Sequence, residues 1–310
     1  MMSADSKKSS GDVMMCCATC GIAAVDDIKL KDCDDGCDLV KCCSDHCQEN
    51  HREQHKEGCK KRKAELRDRD LFTMPDSSHL GECPICCLPQ SLDDTKSSTM
   101  PCCSRLICDG CNLANARREM AEGLKQRCAF CREPMAKSQE ECIKNCMKRV
   151  KKNDPAAMTM MGQRKEDEGD YETALKYLAK AAELGDAEAH YSLSVLYRKG
   201  EGVEKSKEKA VYHWEEAAIA GHPNARYNLG IEEWNNGRFE RARKHWIIAA
   251  NLGLHDSLKC LKELYANGHA SKEEYLGALR GYQAALDATK SEEREKAEKA
   301  MKSGKISFAF

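Results

Sequence analysis

The stretch Ala181-Ala182-Glu183-Leu184-Gly185 returns as Ala217-Ala218-Ile219-Ala220-Gly221 and again as Ala249-Ala250-Asn251-Leu252-Gly253, so the closing glycines are 36 and 32 residues apart. A second marker recurs in step with it: Pro155-Ala156-Ala157, Ala187-Glu188-Ala189, Pro223-Asn224-Ala225 and Asp256-Ser257-Leu258. A period of 32–36 residues means stacked helix pairs, because one pair cannot bury its apolar face alone. The pattern inside a unit is helical. Tyr171, Ala174, Leu175, Leu178 and Ala182 share one face, as do Ala189, Leu193, Leu196 and Tyr197. The alanines let paired helices approach closely. A glycine after each second helix permits the left-handed turn that ends it, and Gly200-Glu201-Gly202-Val203 separates the two helices of the second unit. Trp214, Trp234 and Trp246 read as packing residues of this array.

Upstream the composition changes. Eighteen of the 21 cysteines lie in the first 131 residues. Residues Met1–Asp12 are polar and lack the apolar stretch of a secretory signal, which points to the cytosol or nucleus. In such a reducing compartment a dense cysteine cluster is a metal framework rather than a disulfide one. With 33% charged and only 5% aromatic residues, several small units fit better than one large core. The expected fold class is therefore multidomain, with two small zinc-stabilised α+β modules followed by an all-α solenoid of helix-turn-helix repeats.

The first module contains Cys17-x2-Cys20, Cys33-x3-Cys37, Cys43-x3-Cys47 and His55-x3-Cys59. Eight nitrogen and sulfur ligands make two closed tetrahedral sites with no open position for water, so the zinc there is structural. The polar segment Asp45 to Arg62 reads as a helix that sets His55 and Cys59 on one face. His51 reads as a solvated or supporting histidine, and Cys16 and Cys42 as neighbours able to exchange with ligands. The Cys43–Cys47 pair and the closing His55-Lys56-Glu57-Gly58-Cys59 resemble a MYND finger over residues 17 to 59. The resemblance implies that Cys17, Cys20, Cys43 and Cys47 share one zinc and Cys33, Cys37, His55 and Cys59 the other. Three residues separate Cys33 from Cys37 where that family usually has two. Cys42 and Arg52 also replace an expected aromatic and tryptophan, which puts a peptide-binding groove in doubt.

The second module runs Cys83-Pro84-Ile85-Cys86, Cys102-Cys103, Cys108-Asp109-Gly110-Cys111 and Cys128-Ala129-Phe130-Cys131. Three Cys-x2-Cys knuckles at this density are a zinc signal. The spacing resembles a RING-type domain. The resemblance implies a cross-brace, with Cys83, Cys86, Cys108 and Cys111 on one zinc and Cys102, Cys103, Cys128 and Cys131 on the other. The total implied is four zinc ions, two per module. The family's central histidine is missing. Either Cys102 and Cys103 both bind, which requires a sharp backbone turn, or only Cys103 does, with Cys87 as a spare. In RING ubiquitin ligases the residues matching Ile85 and Pro134 contact the ubiquitin-conjugating enzyme, and a cation at the position of Arg132 braces the carried ubiquitin. Such a domain has no nucleophile of its own and works by positioning.

The repeats resemble the Sel-1-like family, relatives of tetratricopeptide repeats. The resemblance rests on Ala189-x-Tyr191-x-Leu193, Tyr197-x2-Gly200-x-Gly202-Val203 and Lys209-Ala210-x3-Trp214-x2-Ala217-Ala218. It implies four units over residues 154 to 288, with the outer two degenerate and a surface that binds proteins. The third unit has Asn235-Asn236-Gly237-Arg238-Phe239 in place of the Gly-x-Gly loop.

The expected boundaries are a tail at 1–12, the finger at 13–60, a linker at 61–79, the RING-type domain at 80–134, a linker at 135–153, repeats at 154–289 and a charged tail at 290–310, which begins with a charged helical stretch from Glu292 to Lys302 and reads as a frayed extension. Two functions fit this order. One is a RING-type ubiquitin ligase whose repeats or finger select a substrate. The other is a zinc-stabilised adaptor without catalysis, since structural zinc alone supplies about 10–16 kcal/mol of folding energy in small fingers. The implied partners are proteins, namely a ubiquitin-conjugating enzyme and a substrate or complex partner. Net charge is −1, and residues 1–75, 76–150 and 151–310 sum to −2, +1 and 0, so no segment is strongly basic and a nucleic-acid surface is not expected. Lys60-Lys61-Arg62-Lys63 reads as the solvated end of a helix rather than a nuclear signal. No apolar run approaches the roughly 18 residues of a membrane span.

Overall fold

The computed structural model describes residue 18, residues 30–33 and residues 41–303. It divides into two compact units, residues Met1–Leu71 and Phe72–Phe310. In the first, strand β1 (Lys31–Asp32) pairs antiparallel with β2 (Lys41–Cys42), and the long helix α1 (Asp45–Phe72) follows. The helix continues past Arg62 through most of the expected linker. The segment 63–72 holds neither Gly nor Pro and nothing in its sequence stops a helix.

The second unit opens with an irregular stretch of bends and turns and the second cysteine module. Strands β3 (Ser97–Met100) and β4 (Arg105–Cys108) form a hairpin in the register Ser97↔Cys108 to Met100↔Arg105, and β4 runs directly into helix α2 (Asp109–Ala121). The module is too small for an aliphatic core. Its buried cluster is Cys83, Met100, Ile107, Cys108 and Cys128.

The remainder is helical. Helix α3 (Gln139–Val150) is followed by the pairs α4 (Pro155–Asp167) with α5 (Tyr171–Glu183), α6 (Ala187–Lys199) with α7 (Lys207–Ile219), α8 (Pro223–Asn235) with α9 (Phe239–Asn251), and α10 (His255–Ala266) with α11 (Lys272–Ala288). Helix α12 (Glu292–Lys302) closes the described chain. Six successive helices, α4 to α9, are each 13 residues long. Each pair buries alanine on one side and a large residue on the other. Leu178, Leu193 and Leu196 pack with Ala181 and Ala189 in one cluster, and Trp246 packs with Ala242, Leu261 and Leu264 in another. Gly185, Gly221 and Gly253 take φ of 84°, 84° and 96° where each second helix ends, a conformation that costs other residues free energy.

An expected linker and an expected tail both pack against the rest of the second unit. Residues 139–150 form α3, which extends the array by packing Cys146 against Ala157 and Met161. The charged helical stretch expected at 292–302 forms α12, but it packs on α2 through Leu113, Ala297 and Ala300 rather than fraying.

Candidate metal centres

The second module gathers its cysteines from four backbone devices. In the first knuckle Cys83 N–H donates to the Leu88 carbonyl and Cys87 N–H to the Cys83 carbonyl, each at 2.9 Å. In the second, Cys128 N–H donates to Glu133 at 2.7 Å and Arg132 N–H to the Cys128 carbonyl at 3.1 Å. The residue after each second cysteine, Cys87 or Arg132, sits at positive φ, 54° and 65°. The two knuckles are thus one local design used twice. Cys108 ends β4 and Cys111 lies in the first turn of α2. Cys102 and Cys103 occupy the hairpin turn, where Ser104 takes φ of 55° and donates its N–H to the Met100 carbonyl at 2.7 Å.

The result is two sulfur clusters. Cys83, Cys86, Cys108 and Cys111 hold their Sγ atoms within 4.8 Å of one another, and so do Cys102, Cys103, Cys128 and Cys131. The tight hairpin turn therefore aims both adjacent cysteines at the same point. Cys87 is exposed and belongs to neither cluster. The Sγ separations are 3.9 Å for Cys83–Cys111, 3.8 Å for Cys86–Cys108, 3.8 Å for Cys103–Cys128 and 3.3 Å for Cys102–Cys131. Sulfurs held about 2.3 Å from a central zinc form a tetrahedron with edges of about 3.8 Å, so the donor sets fit that ion in size as well as in chemistry. Thiols this crowded cannot all ionise without a cation. Cys83 is pulled down to about 4 by the hydrogen bond from Cys108, while the bond to Cys83, with burial, pushes Cys108 up. Burial pushes Cys111 up to about 12. In the other cluster Cys128 is lowered by its bonds to Cys102 and Cys103.

The first module shows part of the same design. Cys33, His55 and Cys59 bring their donor atoms within 4.8 Å of one another, with 3.8 Å between the Cys33 and Cys59 sulfurs. Helix α1 supplies His55 and Cys59 one turn apart, and the His51 ring stacks on His55 at 5.7 Å. Cys43 and Cys47 are 3.7 Å apart at the start of the same helix. Cys16, Cys17, Cys20 and Cys37 lie outside the described residues. Cys42 is buried in β2 and is not in the Cys33 cluster.

Ile85 is exposed in the first knuckle, and Phe130 holds the same place in the second with the Arg105 guanidinium over its ring. Pro134 is exposed and pairs with Arg127 in an isolated bridge. The Arg132 guanidinium donates to Asn115 and lies 3.6 Å from Glu119.

A fourth convergence has no signature in the sequence, because its members are far apart in the chain. His79, Glu188 and His222 bring donor atoms within 4.8 Å. Both Nε2 atoms face one oxygen of Glu188, at 3.3 Å from His79 and 3.1 Å from His222, and the two rings stack at 4.1 Å. His222 caps α8: its Nδ1 accepts the Ala225 N–H. A neutral imidazole whose Nδ1 accepts must carry its proton on Nε2. That nitrogen therefore donates to Glu188 and has no lone pair for a metal. The cluster is a hydrogen-bonded clasp. Burial opposes ionisation of Glu188, but the bonds from His222 and His79 outweigh it and hold the carboxylate well below its usual range. His79 N–H also donates to the Gly221 carbonyl at 3.0 Å, which fastens the stretch before the second module to the solenoid.

Comparison with known proteins places the array. The Sel1 repeat family model matches residues 155–186, 187–222 and 223–254. Residues 155–254 are three Sel1 repeats. Their bounds coincide with the pairs α4–α5, α6–α7 and α8–α9. The pair α10–α11 continues the stack beyond the match. Among solved structures, a Sel1 repeat protein from Oxalobacter formigenes is 22% identical with a TM-score of 0.43, over 55% of this chain and 51% of that one. The protective antigen c5321 of uropathogenic Escherichia coli, which has an SLR fold, is 20% identical with a TM-score of 0.39, over 65% of this chain and 42% of that one. The chain thus spans about half the length of these Sel1-type structures. No curated protein matches it.

Proposed function

We propose that this Sel1-repeat protein is a scaffold for protein assembly whose two cysteine modules hold four structural zinc ions, and that its second module acts as a RING-type ubiquitin ligase. The observation that carries the reading is the interleaving of the two sulfur clusters: the first and third cysteine pairs share one, the second and fourth the other. Ile85, Arg132 and Pro134 are exposed beside those clusters, as recruitment of a ubiquitin-conjugating enzyme requires. Bound zinc would hold the knuckles, the hairpin turn and the start of α2 in one piece. Ile85 and Pro134 would meet the conjugating enzyme. Arg132 would exchange its bonds with Asn115 and Glu119 for bonds to the enzyme and its ubiquitin, which a planar guanidinium can make together. The Sel1 repeats or the finger would choose the substrate, in the cytoplasm or nucleus.

The test is self-ubiquitylation with activating enzyme, a panel of conjugating enzymes, ubiquitin and ATP. Ubiquitin chains are expected with the wild type and should fade with Ile85→Ala and Arg132→Ala. Absence of chains with every conjugating enzyme, from protein shown to hold four zinc ions, would leave the second reading, a zinc-stabilised adaptor. The closed donor sets fit either reading, because four sulfurs around an ion make a structural site and a RING-type domain needs no open metal position.

A further inference from the structure

The helix that ends the described chain reaches a cysteine cluster more than two hundred residues away. Arg294, in the first turn of α12, donates from Nη2 to the Cys86 Sγ at 3.4 Å and to the Leu88 carbonyl at 3.1 Å. From Nη1 it donates to the Pro89 carbonyl at 2.6 Å and to the Thr289 carbonyl at 2.9 Å. Three of these four acceptors, on Cys86, Leu88 and Pro89, belong to the first knuckle or the three residues that follow it. The backbone is equally close. A Cβ at Gly110 would lie 2.8 Å from the Arg294 nitrogen and 2.9 Å from the Glu293 carbonyl carbon, so α12 rests directly on the turn of α2 that carries Cys111. Leu113 closes over Ala297 and Ala300, and Lys96 lies 3.5 Å from Glu298.

The geometry points to Arg294 as an outer-shell partner of the Cys83–Cys86–Cys108–Cys111 metal site, which makes the C-terminal helix a wall of that site. The inference rests on the zinc reading above. Four thiolates around one divalent ion carry a net double negative charge in a partly buried place. A guanidinium bonded to one of the sulfurs and to the carbonyls beside it offsets that charge and fixes the knuckle. Outer-shell groups of this kind commonly change metal affinity by 10–100-fold. Arg294 suits the position because its planar fork serves sulfur and three carbonyls at once, which a lysine ammonium cannot do. It is a positioning residue and touches no reacting group.

The experiment uses the full chain. Zinc content is measured by mass spectrometry, and zinc release to a chromogenic chelator is followed in wild type, Arg294→Ala, Arg294→Lys and the surface control Lys299→Ala. One of the four ions is expected to leave about tenfold faster or more from Arg294→Ala, at an intermediate rate from Arg294→Lys, and unchanged from the control. In cobalt-substituted protein the sulfur-to-metal charge-transfer band should move to longer wavelength in Arg294→Ala, because a thiolate that loses an N–H donor is a better electron donor. Ala297→Glu, which crowds α12 off Leu113 with Arg294 intact, should show the same band shift and serves where Arg294→Ala fails to fold. Four tightly held ions with unchanged release and an unshifted band in these variants would overturn the role of Arg294. A wild type that binds no zinc would overturn the metal reading itself.

Discussion

At the scale of single residues, the second unit carries an unusual charge burden inside. Arg226 is fully buried, its guanidinium makes one hydrogen bond among the described residues, to the Thr73 carbonyl at 3.4 Å, and burial lowers it to about 10. Next to it His245 is also fully buried, neither ring nitrogen has a partner among the described residues, and the Phe72 ring lies 4.8 Å away. Burial, reinforced by the charges of Arg226 and Arg241, pushes His245 down to about 3. The unfolded chain takes up this proton near pH 6.5, whereas the folded one refuses it until about 3. Stability is therefore whole above pH 6.5 and falls as pH drops below it, by roughly 3 kcal/mol at pH 4 from this one residue. His245→Leu removes both the proton and two unpaired nitrogens. We expect its stability to fall less steeply between pH 6.5 and 4, by about one proton's worth, in denaturant titrations at a series of pH values. Equal slopes for variant and wild type would show that His245 is not buried as described.

At the scale of elements, the repeats are held in register by their caps. Asp154, Asp170, Asp186, Ser206 and His222 each accept an N–H from the first turn of α4, α5, α6, α7 and α8 respectively. Asp186 does more than cap: it accepts Ala189 N–H at 2.8 Å and the Thr159 hydroxyl at 2.9 Å, tying α6 to the preceding repeat. Asp186→Ala is expected to cost about 1–2 kcal/mol, and Asp186→Asn distinctly less, by thermal melting. These elements were legible in the sequence. Apolar residues recur at helical spacing from Tyr171 to Ala182 and from Ala189 to Tyr197, and glycines punctuate the units. Helices α3 and α12 were not legible as packed elements. Between Glu292 and Lys302 only Ala297, Ala300 and Met301 are apolar. The helix docks through two alanines, a close backbone approach and one arginine, a surface too small and polar to leave a hydrophobic stripe. Cysteine spacing singled out the residues that converge in the second module, but Arg294 and the His79 clasp come from distant segments without spacing of any kind.

At the scale of the whole molecule, the zinc reading proposed above predicts that the two kinds of architecture respond differently to loss of metal. The buried cluster of the second cysteine module is three cysteines with Met100 and Ile107, whereas α4 to α11 carry larger clusters of Leu, Ala and Trp. A strong chelator at neutral pH is expected to unfold the modules and leave most of the helical circular-dichroism signal in place. Because α12 rests on α2, the same treatment should open α12 to trypsin at Lys296 and Lys299 while the repeats stay resistant. Simultaneous collapse of the repeats would mean that they depend on the modules for their fold.

Repeat arrays ordinarily tolerate gain or loss of a unit, since each one meets only its neighbours. This chain is different. The stretch before the second module is fastened to α6 and α8 through His79, and α12 returns to that module through Arg294. Between those two attachments the number of helix pairs is set by the span they must cover. A duplicated or deleted Sel1 repeat after His222 would carry α12 past its seat on Gly110 or stop it short. The closed circuit thus acts as a ruler, and it gives evolution a reason to hold the length of this array constant while the sequence of its outer surface drifts.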